Sequence, residues 1–170
     1  MDDISLVFGG IQTAAIVGGI VLALMELRHL KEQRKTELDT RQAQLFMQIY
    51  EPFHSREFQL ARVECNRRMT WKDYDDYTQK YDALTNPEAA ASIAMVGLYF
   101  EGIGTLVKKG LLDMSFVDEL LSRQLRVFWE KFGPMFQISR SRKDPDMYRS
   151  LEYLYDEEIK YREKHGLTQT

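Results

Sequence analysis

The chain has 170 residues, 44% of them hydrophobic and 29% charged, which is room for one domain and an anchor. A net charge of -3 at pH 7 excludes a chain built as a whole to hold nucleic acid, so no specific nucleic acid is expected as a partner. One cysteine, Cys65, cannot close an internal disulfide and suits a reducing compartment, and three histidines leave little material for metal chemistry.

The first element is Ile4–Met25, which carries no charge. It supplies about the 20 apolar residues that a helix needs to cross the hydrocarbon core, and a membrane span is predicted here. A signal peptide would have a basic start and a shorter apolar run, whereas this run follows the acidic "MDD". Arg28, Lys31, Arg34 and Lys35 follow the span, and Asp2 and Asp3 precede it. Basic residues stay on the cytoplasmic side, which predicts the N-terminus outside and the remaining chain inside, at the cell's inner (plasma) membrane. Those four basic residues are also the candidate contacts to anionic lipid. Small residues line the span in two rows, Gly10, Ala14 and Gly18, then Ala15, Gly19 and Ala23. Such rows let two helix backbones approach within lipid, and Gly10, Ala14, Gly18 and Gly19 are the candidate packing positions. Glycine and alanine are also common in membrane helices without that role. The partners expected are therefore the lipid bilayer and, through the span, a second copy or another membrane protein.

The helix is expected to continue from the span to Tyr50. A coiled coil is not predicted, because Leu24, Leu38 and Leu45 share their register with Lys31. Pro52 bends or ends this helix. Ser55 then caps a helix over Arg56–Arg68. Thr70, with Asp73 three residues on, starts another that reaches Tyr81. Asn86 and Pro87 form a cap and first helical position, and that helix stops at Gly110. Ser115 is the expected cap of the next, which is expected to end at Gly133–Pro134, with a short helix following to Arg142. Asp144–Pro145 starts the last, which ends near Gly166. Ile93, Val96, Phe100, Ile103 and Val107 recur at three- and four-residue steps and form one apolar face. Strand signals are nearly absent. The expected fold is all-α, one N-terminal transmembrane helix continuing into a cytoplasmic bundle of about five helices. Its divisions are residues 1–3 outside, 4–25 spanning, 26–50 juxtamembrane, 51–166 the helical domain and 167–170 a tail.

"FHSREF", "YFEGIGTLVKKGLLD", "FWEKFGP" with Arg140, and "LEYL" occur in that order. The pattern resembles a widespread bacterial and archaeal family with one N-terminal span and a cytoplasmic helical domain of unknown function. The likeness covers most of the chain after residue 26. It departs at Leu151, where an aromatic residue is expected before Glu152. The resemblance implies a fold and a location and no reaction.

Several constellations bear on chemistry. Glu51 and His54 have the E-x-x-H spacing of helical di-iron sites, yet there is no second copy and Pro52 lies between them. "FEGIG" follows no strand and is no nucleotide fingerprint, and Gly97, Gly102 and Gly104 are expected to permit close helix packing. Cys65 has no adjacent base in sequence and reads as a half-buried small residue. Basic residues cluster at Arg62, Arg67, Arg68 and Lys72, and again at Arg140, Arg142 and Lys143. Either cluster could take a phosphate or nucleotide, or be a solvated face. Glu101 and Glu152 interrupt apolar stretches, and a buried carboxylate needs a partner or a proton. Arg140 is the candidate partner of this polar network, which is either an ion network fixing helix register or a ligand-binding or acid/base pair.

No catalytic residue, cofactor or metal site emerges, and an enzyme is not expected. The sequence favours a membrane-anchored helical scaffold, accessory subunit or regulatory interaction module at the cytoplasmic face. The alternative is a membrane-tethered sensor of a small anionic or nucleotide ligand.

Overall fold

The computed structural model describes residues 2–167, with side chains from Leu22 onward. The packing of Gly10, Ala14 and Gly18 lies outside the described residues. At Gly19 no heavy atom lies within 4 Å of the place a Cβ would take.

The chain is all-helical, with six α-helices and no strand among the described residues. Its contacts divide it into two compact units, one up to Ala43 and one from Gln44 onward. In the first unit, α1 (Asp2–Tyr50) continues without a break through the residues that follow the apolar run. Leu22, Leu24, Met25, Leu27 and Leu30 are all exposed there. Thr36 and Thr40 turn their hydroxyls onto carbonyls four residues back, and Arg41 pairs with Glu37 at 2.6 Å. These local contacts support a helix that carries no buried face over 22–40.

The second unit opens with the last turns of α1. Phe46 is 2% exposed and stacks on Tyr50 and Phe116. Pro52 has no N–H to give, and α1 gives way to one 3₁₀ turn, Glu51–His54. Ser55 then caps α2 (Arg56–Val63) by accepting the Phe58 N–H at 3.1 Å. The helix does not stay regular to Arg68, because Glu64–Arg68 widens into a π turn. Lys131 closes that turn, donating to the carbonyls of Cys65, Asn66 and Met69 at 2.6, 3.1 and 2.7 Å. Its ammonium replaces the missing helical donors, and burial lowers its pKa.

Three caps fall elsewhere than the sequence suggests. Asp73, not Thr70, caps α3 (Tyr74–Tyr81), and Asp76 reaches back to the Lys72 N–H at 2.9 Å. The box is shifted because a carboxylate also accepts in the field of the helix start. Asp113, not Ser115, caps α5 (Met114–Arg142), taking both the N–H and the hydroxyl of Ser115. The last helix, α6 (Arg149–Lys164), begins after Tyr148 rather than at Asp144–Pro145. By contrast α4 (Pro87–Lys108) starts at Asn86 and Pro87 as expected, and Gly110 ends it at φ +68°.

The larger correction concerns α5, which runs straight through Gly133 and Pro134. Pro134 and Glu130 are both exposed, so the carbonyl that loses its partner is on the watery side. On the other side Phe128, Trp129, Phe132 and Phe136 are all buried. Burial of a large side chain contributes about 1.5–3 kcal/mol each, which together outweighs one proline.

Helix α4 is itself long and apolar enough to cross a membrane. Here it is a core helix whose buried face holds Ile93, Val96, Gly97, Phe100, Ile103 and Gly104. It packs most extensively on α6. A Cβ at Gly104 would lie 2.0 Å from the Ser150 carbonyl oxygen, and one at Gly97 would lie 2.7 Å from the Tyr148 ring. Tyr148 is left-handed at φ 53°, held with its ring between Gly97 and Phe136. Gly102, expected to share this role, faces open space.

Gly104→Ala is therefore expected to destabilise the full chain in mild detergent by about 1–3 kcal/mol, as overpacking does. Gly102→Ala should leave the melting temperature unchanged or raise it, since alanine favours the helix by up to about 1 kcal/mol. Equal melting temperatures for the two variants would refute the close approach.

Candidate functional site: buried charges and an arginine-lined cleft

The polar groups expected to form one network separate into two. Glu101 does not meet Arg140. Its carboxylate accepts the backbone N–H groups of Ser150 at 3.1 Å and Leu151 at 2.7 Å. These are orphan amides of the first turn of α6, which has no side-chain cap of its own. Glu101 thus caps α6 from α4, favoured also by the positive end of the helix dipole. Arg140 pairs instead with Glu152 at 2.5 Å, and Gln137 donates to the same carboxylate at 2.8 Å. The Arg140 guanidinium holds Glu152 below the usual carboxylate range. Both arrangements tie the start of α6 to its neighbours and bring no reactive group to either carboxylate.

A third carboxylate, Glu158, is the most buried charge of the described residues, at 0% exposure. Ser122 donates to its Oε1 in a short hydrogen bond, and Arg126 and Arg162 stand at 3.6 and 3.8 Å. Arg162 also bonds Asp118 at 2.7 Å. Oε2 of Glu158 is buried without a partner. Burial raises its pKa against the opposing pull of Ser122 and the two guanidiniums. Leu151, Leu154 and Glu158 recur at steps of three and four, all buried. That stripe was the signal in the sequence, masked by the equally acidic Glu157 beside it.

The basic clusters also rearrange. Arg68 pairs with Glu64, and Arg142 pairs with Asp75 and lies over the Tyr74 ring at 4.8 Å. With Arg140 held by Glu152, the second expected cluster has its charges matched at Arg140 and Arg142. Of the first cluster, Arg62 and Arg67 share a cleft with a residue of α5 that no local spacing joins to them, Arg123. Together with Val63, Asn66, Gln124 and Val127 they line a cleft of about 530 Å³ between the α2–π-turn segment and α5. None of the three arginines forms an ion pair among the described residues.

Elsewhere Cys65 is fully buried and its thiol is pushed up to about 12, so the thiolate is not available near neutrality. Among the described residues no group of three His, Cys, Asp or Glu side chains could hold a metal ion. Arg28, Lys31, Arg34 and Lys35 are exposed on α1.

Glu158→Ala strands the Arg126 guanidinium and leaves Arg162 with Asp118 alone, and is expected to cost about 3–5 kcal/mol. Glu101→Ala removes only a cap and should cost about 1 kcal/mol, read by chemical denaturation of the full chain. The pH dependence has a definite sign. The folded chain holds the Glu158 proton above the ordinary value of 4.5, so this contribution to stability is full below that value and declines as pH rises through the raised range. Glu158→Gln should remove that decline, and identical slopes in the variant and the natural chain would contradict it.

No curated protein and no solved structure matches the chain. One family model does, described as a domain of unknown function (DUF4760), over residues 13–157. That match takes in most of α1 and all but the last turns of the helical unit, and the chain belongs to this family of domains of unknown function.

Proposed function

We propose that this chain is a single-pass, membrane-anchored helical module that works at the cytoplasmic face as a scaffold, accessory subunit or regulator of a membrane partner. One observation carries the reading. The uncharged run Ile4–Met25 passes within one continuous helix into Arg28, Lys31, Arg34 and Lys35, all exposed. An apolar run of that length spans a bilayer, and the basic residues that follow it set that end in the cytoplasm beside anionic headgroups. The helical unit is then presented to the cytoplasm, as its lone buried Cys65 suits. Contacts through Gly10, Ala14, Gly18 and Gly19 hold a second copy or a partner span.

A second reading, a membrane-tethered sensor of a small anionic ligand, is favoured by one feature alone, the arginine-lined cleft.

An epitope tag placed after Met1 should be digested by protease added to intact cells, and one placed after Thr170 should be protected. Loss of the C-terminal tag would overturn the orientation. Gly18→Leu should reduce crosslinked dimer or recovered partner several-fold while leaving the melting of the helical unit unchanged, because bulk separates packed backbones. Full recovery in Gly18→Leu would remove the small-residue rows from the proposal.

A further inference from the structure

We infer that the cleft between the α2–π-turn segment and α5 binds a phosphate monoester, with Arg62, Arg67 and Arg123 as its cationic clamp. The inference rests on the sensor reading given second above and supplies its site and ligand chemistry.

Charge is the first argument. The other half-buried arginines of the helical unit each have a carboxylate: Arg126 and Arg162 share Glu158, and Arg140 has Glu152, whereas Arg62 is half-buried without one and Arg67 and Arg123 are exposed. Arg62, Arg67 and Arg123 converge on one cleft that no Asp or Glu lines. Three like charges lining one cleft favour an anion there, whatever the net charge of -3 over the whole chain. Guanidinium forks match the oxygens of a phosphate, and two or three of them suit a dianion better than a carboxylate.

Backbone geometry is the second argument and is independent of charge. The π turn Glu64–Arg68 is the only such turn among the described residues. It places Asn66 and Arg67 on the wall of the cleft. Isolated π turns cost helix stability and concentrate at functional sites. This one is held by Lys131 of α5, which donates to two of its carbonyls and to that of Met69 just after it.

The remaining polar groups fit an organic phosphate. Arg62 gives one N–H to Gln59 at 2.7 Å and keeps its Nε without a partner. Asn66 keeps Oδ1 buried without a partner, an acceptor that a ligand hydroxyl would satisfy after rotation of the side chain. Val63 and Val127, 43% and 40% exposed, supply an apolar wall for the carbon skeleton. The volume of about 530 Å³ suits a small molecule. A free sugar phosphate and the headgroup of phosphatidic acid present the same monoester.

The test uses the full chain in mild detergent and, in parallel, in phosphatidylcholine nanodiscs with and without phosphatidic acid. Ribose 5-phosphate and ribose are titrated by calorimetry. Ribose 5-phosphate is expected to bind with Kd below about 1 mM and ribose not to bind. Arg123→Glu and Arg123→Ala should each weaken binding at least about tenfold, the loss of one charge-assisted contact. Arg56→Glu makes the same charge change outside the cleft and should leave Kd within about twofold, since long-range fields are screened. Melting temperatures establish that each variant is folded. Binding abolished by phosphatidic acid in the nanodisc assigns the monoester to lipid, and binding unaffected by it assigns the monoester to a free metabolite. Both support the site. No heat with ribose 5-phosphate, or equal weakening in Arg56→Glu and Arg123→Glu, overturns it. Crosslinking through Gly19→Cys separates the two ideas: binding lost in Arg123→Glu with crosslinking unmoved by ligand keeps the site and ends the sensor reading. Crosslinking that responds to ribose 5-phosphate equally in Arg123→Glu keeps the sensor and overturns this site.

Discussion

Backbone meets backbone where α4 crosses the start of α6, and the rest of the helical unit depends on that approach. Gly104 leaves space where any side chain would strike the Ser150 carbonyl, and Gly97 leaves space for the Tyr148 ring. Once α6 is that close, its first amides lie within reach of Glu101, which caps them. The same placement allows Tyr148 its left-handed backbone, because ring burial offsets about 1–3 kcal/mol of local strain. Arg140 then finds Glu152, and Glu158, nearly two turns further on, is carried to Ser122, Arg126 and Arg162. The polar groups of α6 are consequences of its seating on α4.

Helix α5 is the second organising element, and its continuity past Pro134 matters as much as its length. Had it broken there, the aromatic run Phe128, Phe132 and Phe136 would not lie on one face. That face forms the centre of the core. The same helix sends Lys131 into the carbonyls of the π turn and Arg123 to the cleft beside it. One element thus fixes the shape of the α2–π-turn segment and contributes to the basic cleft beside it. The coupling of structure and candidate site is direct: the residue that stabilises the irregular turn and the residue that completes the clamp are two turns apart on α5.

Family membership supplies no reaction, since the family's domain has none assigned. The physical chemistry of the described residues is informative in another way. The single thiol is held protonated by burial, Glu101 is matched by the amides of α6 and Glu152 by Arg140, and the three arginines of the cleft form no ion pair among the described residues. The anchor and the cleft belong to separate units of the chain, and each is described on its own terms.

Much of the helical pattern was determined by the sequence itself. Ser55, Asn86 with Pro87, Gly110 and Gly166 mark helix ends in both readings, because a cap is satisfied within one turn of chain. The apolar stripe of α4 was legible for the same reason, as periodicity reports which face is buried. Tertiary structure alone decided which faces meet, and four outcomes turned on that. Pro134 was tolerated because its side of α5 faces water. Glu101 found amides rather than Arg140 because the start of α6 lies closer to it. Glu158, not its neighbour Glu157, was buried because α6 is rotated to continue the line of Leu151 and Leu154. Arg123 joined Arg62 and Arg67 because α5 packs on the π turn, a pairing between distant segments that no local spacing encodes. Local hydrogen bonds are written in neighbouring residues, whereas partner choice among buried charges is set by helix packing, which the sequence encodes only through all of its contacts at once.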